Sequence, residues 1–137
     1  MPPTHASVRI ADVMTSHLHT AEPSQSLADV WRLLVEQRCH HVPITKSGQL
    51  VGVISTRDLV RIARDNGAKK LTSDVLGDKT AADAMSTDLE TIQFDEPVEA
   101  AIDRIGIGDI HALLVLDGDD RLAGIVTHHD LLHYLAS

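Results

Sequence analysis

The sequence predicts an α/β (α+β) fold built from two β-α-β-β-α repeats. An opening pattern at 11–15, Ala-Asp-Val-Met-Thr, returns as Ala-Asp-Ala-Met-Ser at 82–86. A buried strand that leads directly into a helix, Gly52–Asp58, returns as Gly124–Asp130. Such self-similarity at a nearly fixed period indicates an internal repeat. Since one copy of about 60 residues would bury little apolar surface alone, we expect the two copies to pack together and to leave clefts between them.

The elements of the first copy follow from local patterns. Ser26 and Asp29 form a capping-box pattern, and Leu27, Val30, Trp31 and Leu34 then follow at the spacing of one helical face. Residues 46–49 have the composition of a hairpin turn. The predicted elements are, in order, a helical turn at 11–15, a strand at 18–20, a helix from Ser26, strands at 41–45 and 50–54, and a helix from Thr56 to about Asn66.

The second copy repeats this order. Its first helix has Pro97 in a first-turn position, and Gly106 and Gly108 are expected to end that helix early. Strands are predicted at 111–116 and 122–126 around a charged turn, followed by a helix at 128–136. We match His41 with His111, and Pro23 with Phe94. The predicted organisation is an arm at 1–10, repeat 1 at 11–66, a linker at 67–80 and repeat 2 at 81–137.

Composition and charge exclude several classes of protein. The 137 residues are 43% hydrophobic and 23% charged, which favours a folded domain. The net charge is −8, and residues 69–137 carry five Lys/Arg against fourteen Asp/Glu. With no basic stripe and few aromatic residues, the sequence predicts neither nucleic-acid nor membrane binding. Cys39 is the single cysteine, so no internal disulfide forms, and without a signal-peptide pattern the cytoplasm is the expected compartment.

The sequence indicates neither catalysis nor a metal site. His129 and His133 stand at i, i+4 beside His128, but no Cys or Glu follows at a recognisable zinc spacing. Cys39 is expected to be a buried structural residue, because neighbours on a strand point to opposite faces and do not form a catalytic pair. No phosphate-binding loop, nucleophile elbow or pair of catalytic carboxylates is present.

The two signatures have two interpretations. Ser55-x-x-Asp58 and Thr127-x-x-Asp130 are ordinary capping boxes, which need no ligand. A helix N-terminus with free N–H groups also attracts phosphate, and Arg57 could pair with it. The duplication makes a ligand-binding role for at least one copy the stronger hypothesis.

Taken together, these residues resemble a known family. The opening Asp12-Val13-Met14-Thr15, the strand His41-Val42-Pro43-Ile44 and the paired Gly-x-x-Ser/Thr-x-x-Asp signatures are similar to a tandem pair of cystathionine beta-synthase (CBS) domains, a Bateman module. The resemblance implies repeats packed with pseudo-twofold symmetry. It also implies adenosine-containing ligands (AMP, ADP, ATP, NAD or S-adenosylmethionine) in two clefts between the repeats.

The resemblance further implies which residues form each cleft. Asp58 and Asp130 would accept hydrogen bonds from ribose hydroxyls, and Ser55 and Thr127 would bind ribose or the α-phosphate. One cleft would combine Ser55, Arg57 and Asp58 with Thr91, His111 and Ala112, and the other would combine Thr127, His128 and Asp130 with Thr20, His41 and Val42.

The function implied is that of a non-enzymatic regulatory module. It would sense an adenine nucleotide, need no other cofactor, form a homodimer and act on a separate effector protein. A scaffold or interaction protein with empty clefts, and a metal-responsive protein that uses its histidines, are the alternatives. The sequence names neither the nucleotide nor the cleft that it occupies.

Overall fold

The computed structural model describes residues 8–65, 67, 76–107 and 110–137. The chain divides into two compact units. The central unit is His19–Leu89, and the terminal unit combines Met1–Leu18 with Glu90–Ser137. In chain order the elements described are α1 (Ile10–Val13), α2 (Leu27–Glu36), β1 (His41–Lys46), β2 (Gln49–Ser55), α3 (Thr56–Asp65), α4 (Ala81–Ala84), β3 (Thr91–Gln93), α5 (Val98–Ile107), β4 (Ala112–Leu116), β5 (Leu122–Thr127) and α6 (His128–Ala136).

The central unit is built on the antiparallel hairpin of β1 and β2. Ser47 and Gly48 connect the strands with φ values of 54° and 83°, as the common two-residue hairpin turn requires. Helix α2 begins where the Ser26 hydroxyl accepts the N–H of Asp29 at 3.1 Å, which confirms the predicted cap. Apolar side chains from the helices and strands form one core, including Leu27, Val30, Leu34, Val42, Ile44, Ile54 and Leu59. Each such buried side chain contributes about 1.5–3 kcal/mol.

The terminal unit contains a three-stranded sheet in the order β3-β4-β5. Strand β3 is parallel to β4, and β4 is antiparallel to β5. Its core includes Ile10, Ile92, Val98, Ala101, Ile105, Leu113, Val115, Val126 and Leu131. Strands and helices thus alternate in both units, and the predicted mixed α/β class is confirmed.

The strand predicted at 18–20 does not form. In its place Ala21 makes a single parallel bridge to Ile44, through a bond from its N–H to the Pro43 carbonyl at 3.1 Å. In the terminal unit the matching ladder continues, because the N–H of Phe94 donates to the Leu116 carbonyl at 2.9 Å. Pro23 occupies the corresponding position and has no N–H. On the side of residues 18–20 the Leu114 N–H donates to the Glu90 carbonyl at 3.0 Å, whereas Pro43, the equivalent of Leu114, has no N–H, so the ladder of the central unit cannot grow in that direction.

The match of His41 with His111 is wrong by one residue. In the hairpin of the central unit His41 pairs with Ser55, and in the terminal unit Ala112 pairs with Thr127. Ala112 is therefore the structural equivalent of His41. The repeat offset stays at 71 residues through both first strands and becomes 72 only after the β4–β5 turn, where the second copy has one extra residue.

Two predicted helix ends differ from the structure or lie outside the described residues. Gly106 does not end α5, which continues to Ile107 because a glycine in the last turn costs only about 1 kcal/mol. Gly108, the end of α3 near Asn66, the arm at 1–7 and most of the predicted linker, residues 68–75, lie outside the described residues.

The compact units do not coincide with the sequence repeats, because the opening segments are exchanged. Helix α1 is tied to the terminal unit by bonds from the N–H groups of Ile10 and Ala11 to the carbonyls of Glu96 and Phe94, at 2.9 and 3.0 Å. In the central unit α4 is held at Ala81, whose N–H donates to the Gln25 carbonyl at 2.8 Å. Each unit is thus completed by the segment that opens the other repeat.

The glycine of each signature leaves room for the exchanged segment to pack against the strand. Thr15 bridges Ile125 in the terminal unit, and Ser86 bridges Val53 in the central unit. The methionine before each bridging residue lies over the neighbouring glycine. A Cβ on Gly52 would overlap with Met85, and a Cβ on Gly124 would lie 2.7 Å from the Sδ of Met14. The first residue of the signature therefore has a packing role, whether or not a ligand binds.

Candidate functional site

The signature of the central unit lies where β2 ends and α3 begins. Asp58 accepts hydrogen bonds on Oδ2 from the Ser55 N–H at 2.7 Å and from the Ser55 hydroxyl at 3.1 Å. These bonds satisfy the donors of Ser55 and fix the carboxylate at the first turn of the helix. The carboxylate half of the predicted capping box is therefore present here.

The second oxygen of Asp58 has a long ion pair in place of a short hydrogen bond. Its partner is Arg61, whose Nη1 lies 3.5 Å from Oδ1, with 56% of the arginine side chain and 13% of the aspartate side chain exposed. Because the pair is long and its arginine is exposed, the guanidinium can move away into solvent. Another hydrogen-bond donor, such as a sugar hydroxyl, could replace or join the guanidinium at little cost.

The signature of the terminal unit is more completely satisfied. Asp130 accepts on Oδ2 from the Thr127 N–H and hydroxyl at 2.9 and 3.2 Å. Its Oδ1 accepts from the hydroxyl of Thr15 at 2.8 Å. Thr15 belongs to the exchanged opening segment, so chain connectivity alone would not bring it to Asp130. The two carboxylates thus differ at Oδ1. In Asp130 this oxygen accepts a short hydrogen bond from the protein, whereas in Asp58 it has a long ion pair.

Some of the other predicted ligand residues lie beside these signatures. In the central unit His41 pairs in register with Ser55, whereas the side chain of Val42 is fully buried in the core and Thr20 is exposed. In the terminal unit Ala112 pairs in register with Thr127, and the rings of His111 and His128 lie 5.6 Å apart. Thr91 is the first residue of β3, and its carbonyl accepts a bond from the Arg104 guanidinium.

Three arginines of α3 lie on the surface beside Asp58, and two of them, Arg61 and Arg64, are outside the signature. Arg57, Arg61 and Arg64 follow one another at i, i+4 and i+7 on α3 and line a shallow groove of about 340 Å³, together with Thr56 and Val60. The spacing is readable from the sequence, but without the position of Asp58 it resembles an ordinary solvated helix face. Thr15 was missed for a different reason, since its contact joins residues 115 positions apart.

A second groove of about 290 Å³ lies along another face of α3. It is lined by residues of both charges, namely Asp58, Arg61, Asp65, Lys79 and Asp83, with Ile62 and Ala84. Hydrogen bonds from the Thr80 N–H and hydroxyl lower the pKa of Asp83, which caps α4. With three carboxylates against two cationic side chains, this groove has no excess of positive charge that would select a phosphate.

In the described residues, neither Cys39 nor the histidines are arranged as a nucleophile or a metal site would require. The Cys39 sulfur lies 3.6 Å from the Leu33 carbonyl, and burial raises the pKa of its thiol, which disfavours a nucleophilic thiolate. Among residues 8–65, 67, 76–107 and 110–137, no three His, Cys, Asp or Glu side chains come together as a metal site would require. In the same residues no helix has the length and hydropathy needed to span a bilayer.

Comparison with known proteins identifies the family. The sequence model of the CBS domain matches residues 10–65 and 81–137. The chain belongs to the CBS-domain family. It contains two CBS domains in tandem, as the sequence resemblance implied.

Solved CBS-domain pairs share the fold of this chain. CBSX2 of Arabidopsis thaliana, solved in complex with AMP, is 29% identical with a TM-score of 0.79, and the match covers 94% of this chain and 96% of that one. The CBS pair of protein MJ0100, solved in complex with 5-methylthioadenosine and S-adenosyl-L-methionine, is 25% identical with a TM-score of 0.78, covering 93% of this chain and 99% of that one.

The curated relatives are longer proteins. An uncharacterized protein of Methanocaldococcus jannaschii is 28% identical over 93% of this chain and 47% of its own length. A homoserine O-acetyltransferase of Methanohalobium evestigatum is 28% identical over 89% of this chain and 23% of its own length. The chain thus spans less than half of these relatives, so the match concerns their CBS domains and not their whole activities.

Proposed function

We propose that the chain is a regulatory module that binds an adenine nucleotide and acts, without catalysis of its own, on a separate effector protein. The observation that supports this most is the Asp58 signature, a fixed carboxylate at a helix N-terminus whose second oxygen has only a long ion pair to one of the neighbouring arginines. Two similar CBS pairs were solved with AMP or with S-adenosyl-L-methionine. The cytoplasm is the compartment we propose.

Each signature residue has a distinct role in this proposal. Asp58 accepts the ribose hydroxyls, while Ser55 contacts ribose or the α-phosphate and Arg57 pairs with phosphate. Asp130 and Thr127 would act likewise, but only after a ligand displaces the hydroxyl of Thr15. The residues proposed to complete the contacts are Thr20, His41 and Val42 in the central unit, the last through its backbone, and Thr91, His111, Ala112 and His128 in the terminal unit.

Regulation would follow from differential binding. A nucleotide shifts the equilibrium between two arrangements of the protein only as far as it binds one better than the other. The effector would then recognise the arrangement that the nucleotide favours. No catalytic group is needed for this role, because the response is a change in population.

A thermal-shift panel tests the proposal. Wild-type protein is heated with AMP, ADP, ATP, NAD, S-adenosylmethionine or zinc, and a true ligand should raise Tm as RT ln(1 + [L]/Kd) predicts. Asp58→Ala should abolish the nucleotide shift. Asp12→Ala, which removes the capping carboxylate of α1, serves as the matched control and should retain it. If no adenosine compound raises Tm, the proposal is wrong.

An interaction protein with empty clefts is the second candidate. It is supported by the fact that both signature carboxylates already have partners within their own units. The same panel separates the two, because this candidate predicts no nucleotide shift in any variant while partner binding persists.

We also propose that the chain forms a homodimer through the helical face of the central unit. Trp31 and Leu34 of α2 and Leu59 of α3 line an apolar groove of about 190 Å³. Beside it Val35 and Val60 are 58% and 66% exposed. Size-exclusion chromatography with light scattering should give the dimer mass for wild type and the monomer mass for Val60→Asp. A monomeric wild type would contradict this proposal.

A further inference from the structure

Helix α3 presents a row of permanent positive charge next to the Asp58 carboxylate. Arg57, Arg61 and Arg64 line one groove of about 340 Å³, and its remaining lining residues, Thr56 and Val60, carry no charge. Since an α-helix rises 1.5 Å per residue, the row extends for about 10 Å along the helix. That length exceeds a single phosphate group.

The guanidinium groups of this row are only weakly engaged by protein carboxylates. Arg61 lies 3.5 Å from Asp58, whose side chain is 13% exposed and lines the second groove of α3. Arg64 lies 3.2 Å from Asp65, with the two side chains 73% and 60% exposed. Arg57 has no carboxylate within 4.0 Å among the described residues. Because the Arg64–Asp65 pair is exposed and the Arg61–Asp58 pair is long, these guanidinium groups can turn to a stronger anion.

The terminal unit lacks an equivalent row. With the offset of 72 residues that applies after β5, the positions of Arg57, Arg61 and Arg64 are taken by His129, His133 and Ala136. The carboxylate there also has its Oδ1 bonded to Thr15. The arginine groove is therefore a property of one signature only.

We infer that the arginine groove binds the phosphate chain of a nucleoside polyphosphate whose ribose is held by Asp58. This inference rests on the proposed function and narrows it to ligands with two or more phosphate groups. Guanidinium groups bind phosphate oxygens in pairs of charge-assisted hydrogen bonds. S-Adenosylmethionine carries a positive sulfonium in place of phosphates, so the same groove discriminates against it. We expect the polyphosphate at the Asp58 signature, because the Asp130 signature has no equivalent row of arginines.

Isothermal titration of the full chain tests this inference. Adenosine, AMP, ADP, ATP, S-adenosylmethionine and inorganic tripolyphosphate are titrated separately at two salt concentrations. We expect affinity to rise from AMP to ADP and ATP, to fall with added salt, and to be lowest for S-adenosylmethionine. Arg64→Ala should weaken ATP binding about tenfold or more and leave adenosine unchanged.

Arg32→Ala is the matched control for Arg64→Ala. Arg32 lies on α2, is 57% exposed and pairs with Asp29 at i, i+3, outside the groove, so its loss should change no affinity. Equal affinities for AMP and ATP, both insensitive to Arg64→Ala, would overturn the inference and leave the proposed function standing. Binding of tripolyphosphate that depends on Arg64, with no binding of adenosine or AMP, would instead overturn the nucleotide function and retain a phosphate groove.

Discussion

Replacing Gly52 with alanine is the sharpest test of the packing between β2 and the exchanged segment. A Cβ at this position overlaps with the Sδ and Cγ of Met85 and lies 3.0 Å from its Cβ. Because the conflict reaches the first atom of the methionine side chain, rotation of that side chain cannot relieve all of it. Overpacking of this kind costs about 1–3 kcal/mol. For a protein of this length, each kcal/mol lowers Tm by about 3–5 °C.

Urea unfolding followed by circular dichroism measures this loss. In a double-mutant cycle, Gly52→Ala should cost at least about 1 kcal/mol less in a Met85→Ala background than in wild type, because the shortened side chain leaves room for the methyl group. Gly106→Ala is the control, since a Cβ on that glycine of α5 meets nothing within 4 Å. We expect that control to stabilise the protein by about 0.5–1 kcal/mol.

Two outcomes would refute this reasoning. The first is a Gly52→Ala protein with the same unfolding midpoint as wild type. The second is a cost of Gly52→Ala that does not change when Met85 is shortened, since that would assign the effect to backbone flexibility and not to the methionine.

Three further predictions concern other contacts. Gly124→Ala should also destabilise, but Met14→Ala should rescue it only in part, because the Thr15 carbonyl lies 2.8 Å from the added Cβ and is backbone; full rescue would contradict this. Thr15→Val should cost about 1 kcal/mol in urea unfolding by removing the bond to Asp130, while Thr15→Ser should cost less; equal losses would argue against the hydrogen bond. Because burial raises the pKa of the Cys39 thiol, iodoacetamide should react more slowly with native than with urea-unfolded protein at pH 8. The stability linked to that raised pKa should be present below about pH 8.5 and decrease above it.

Local patterns were sufficient to predict most of the elements. The helix after Ser26, the hairpin around Ser47 and Gly48, and the helices that begin at Thr56 and His128 each depend on residues within one or two turns. Caps, turn glycines and apolar spacing act over that distance, so the sequence reports them directly. The strand at 18–20 failed because its pairing depends on an N–H that Pro43, the equivalent of Leu114, does not have.

Contacts between distant residues were not predictable in the same way. The bond from Thr15 to Asp130 and the packing of Met85 on Gly52 both follow from the exchange of opening segments. Nothing in the local sequence says which unit a short segment joins. The one-residue error at His111 has a related cause, because two adjacent histidines in the first copy, His40 and His41, offered two alignments and only the pairing of Ala112 with Thr127 decides between them.

The ligand-binding roles of the candidate site residues stay predictions, and the structure adds contacts that the sequence did not show. Asp58 and Asp130 were matched as equals, and the structure distinguishes them through Arg61 on one side and Thr15 on the other. These partners lie outside the signature, one a helical turn away and one in a remote segment. A duplicated motif therefore predicts two candidate sites, while the residues around each one determine whether the two can bind ligands equally well.

The exchange of opening segments also determines how this chain can be divided. A fragment ending at residue 66 would contain β2 but not the Met85 and Ser86 that cover Gly52 and bridge Val53. It would also carry a Met14 segment whose own partner strand, β5, had been removed. A fragment spanning 19–89 would keep every contact of the central unit. Truncations and domain transplants designed on the repeat boundaries would thus separate interacting segments, whereas cuts near residues 18 and 90 would keep the central unit together.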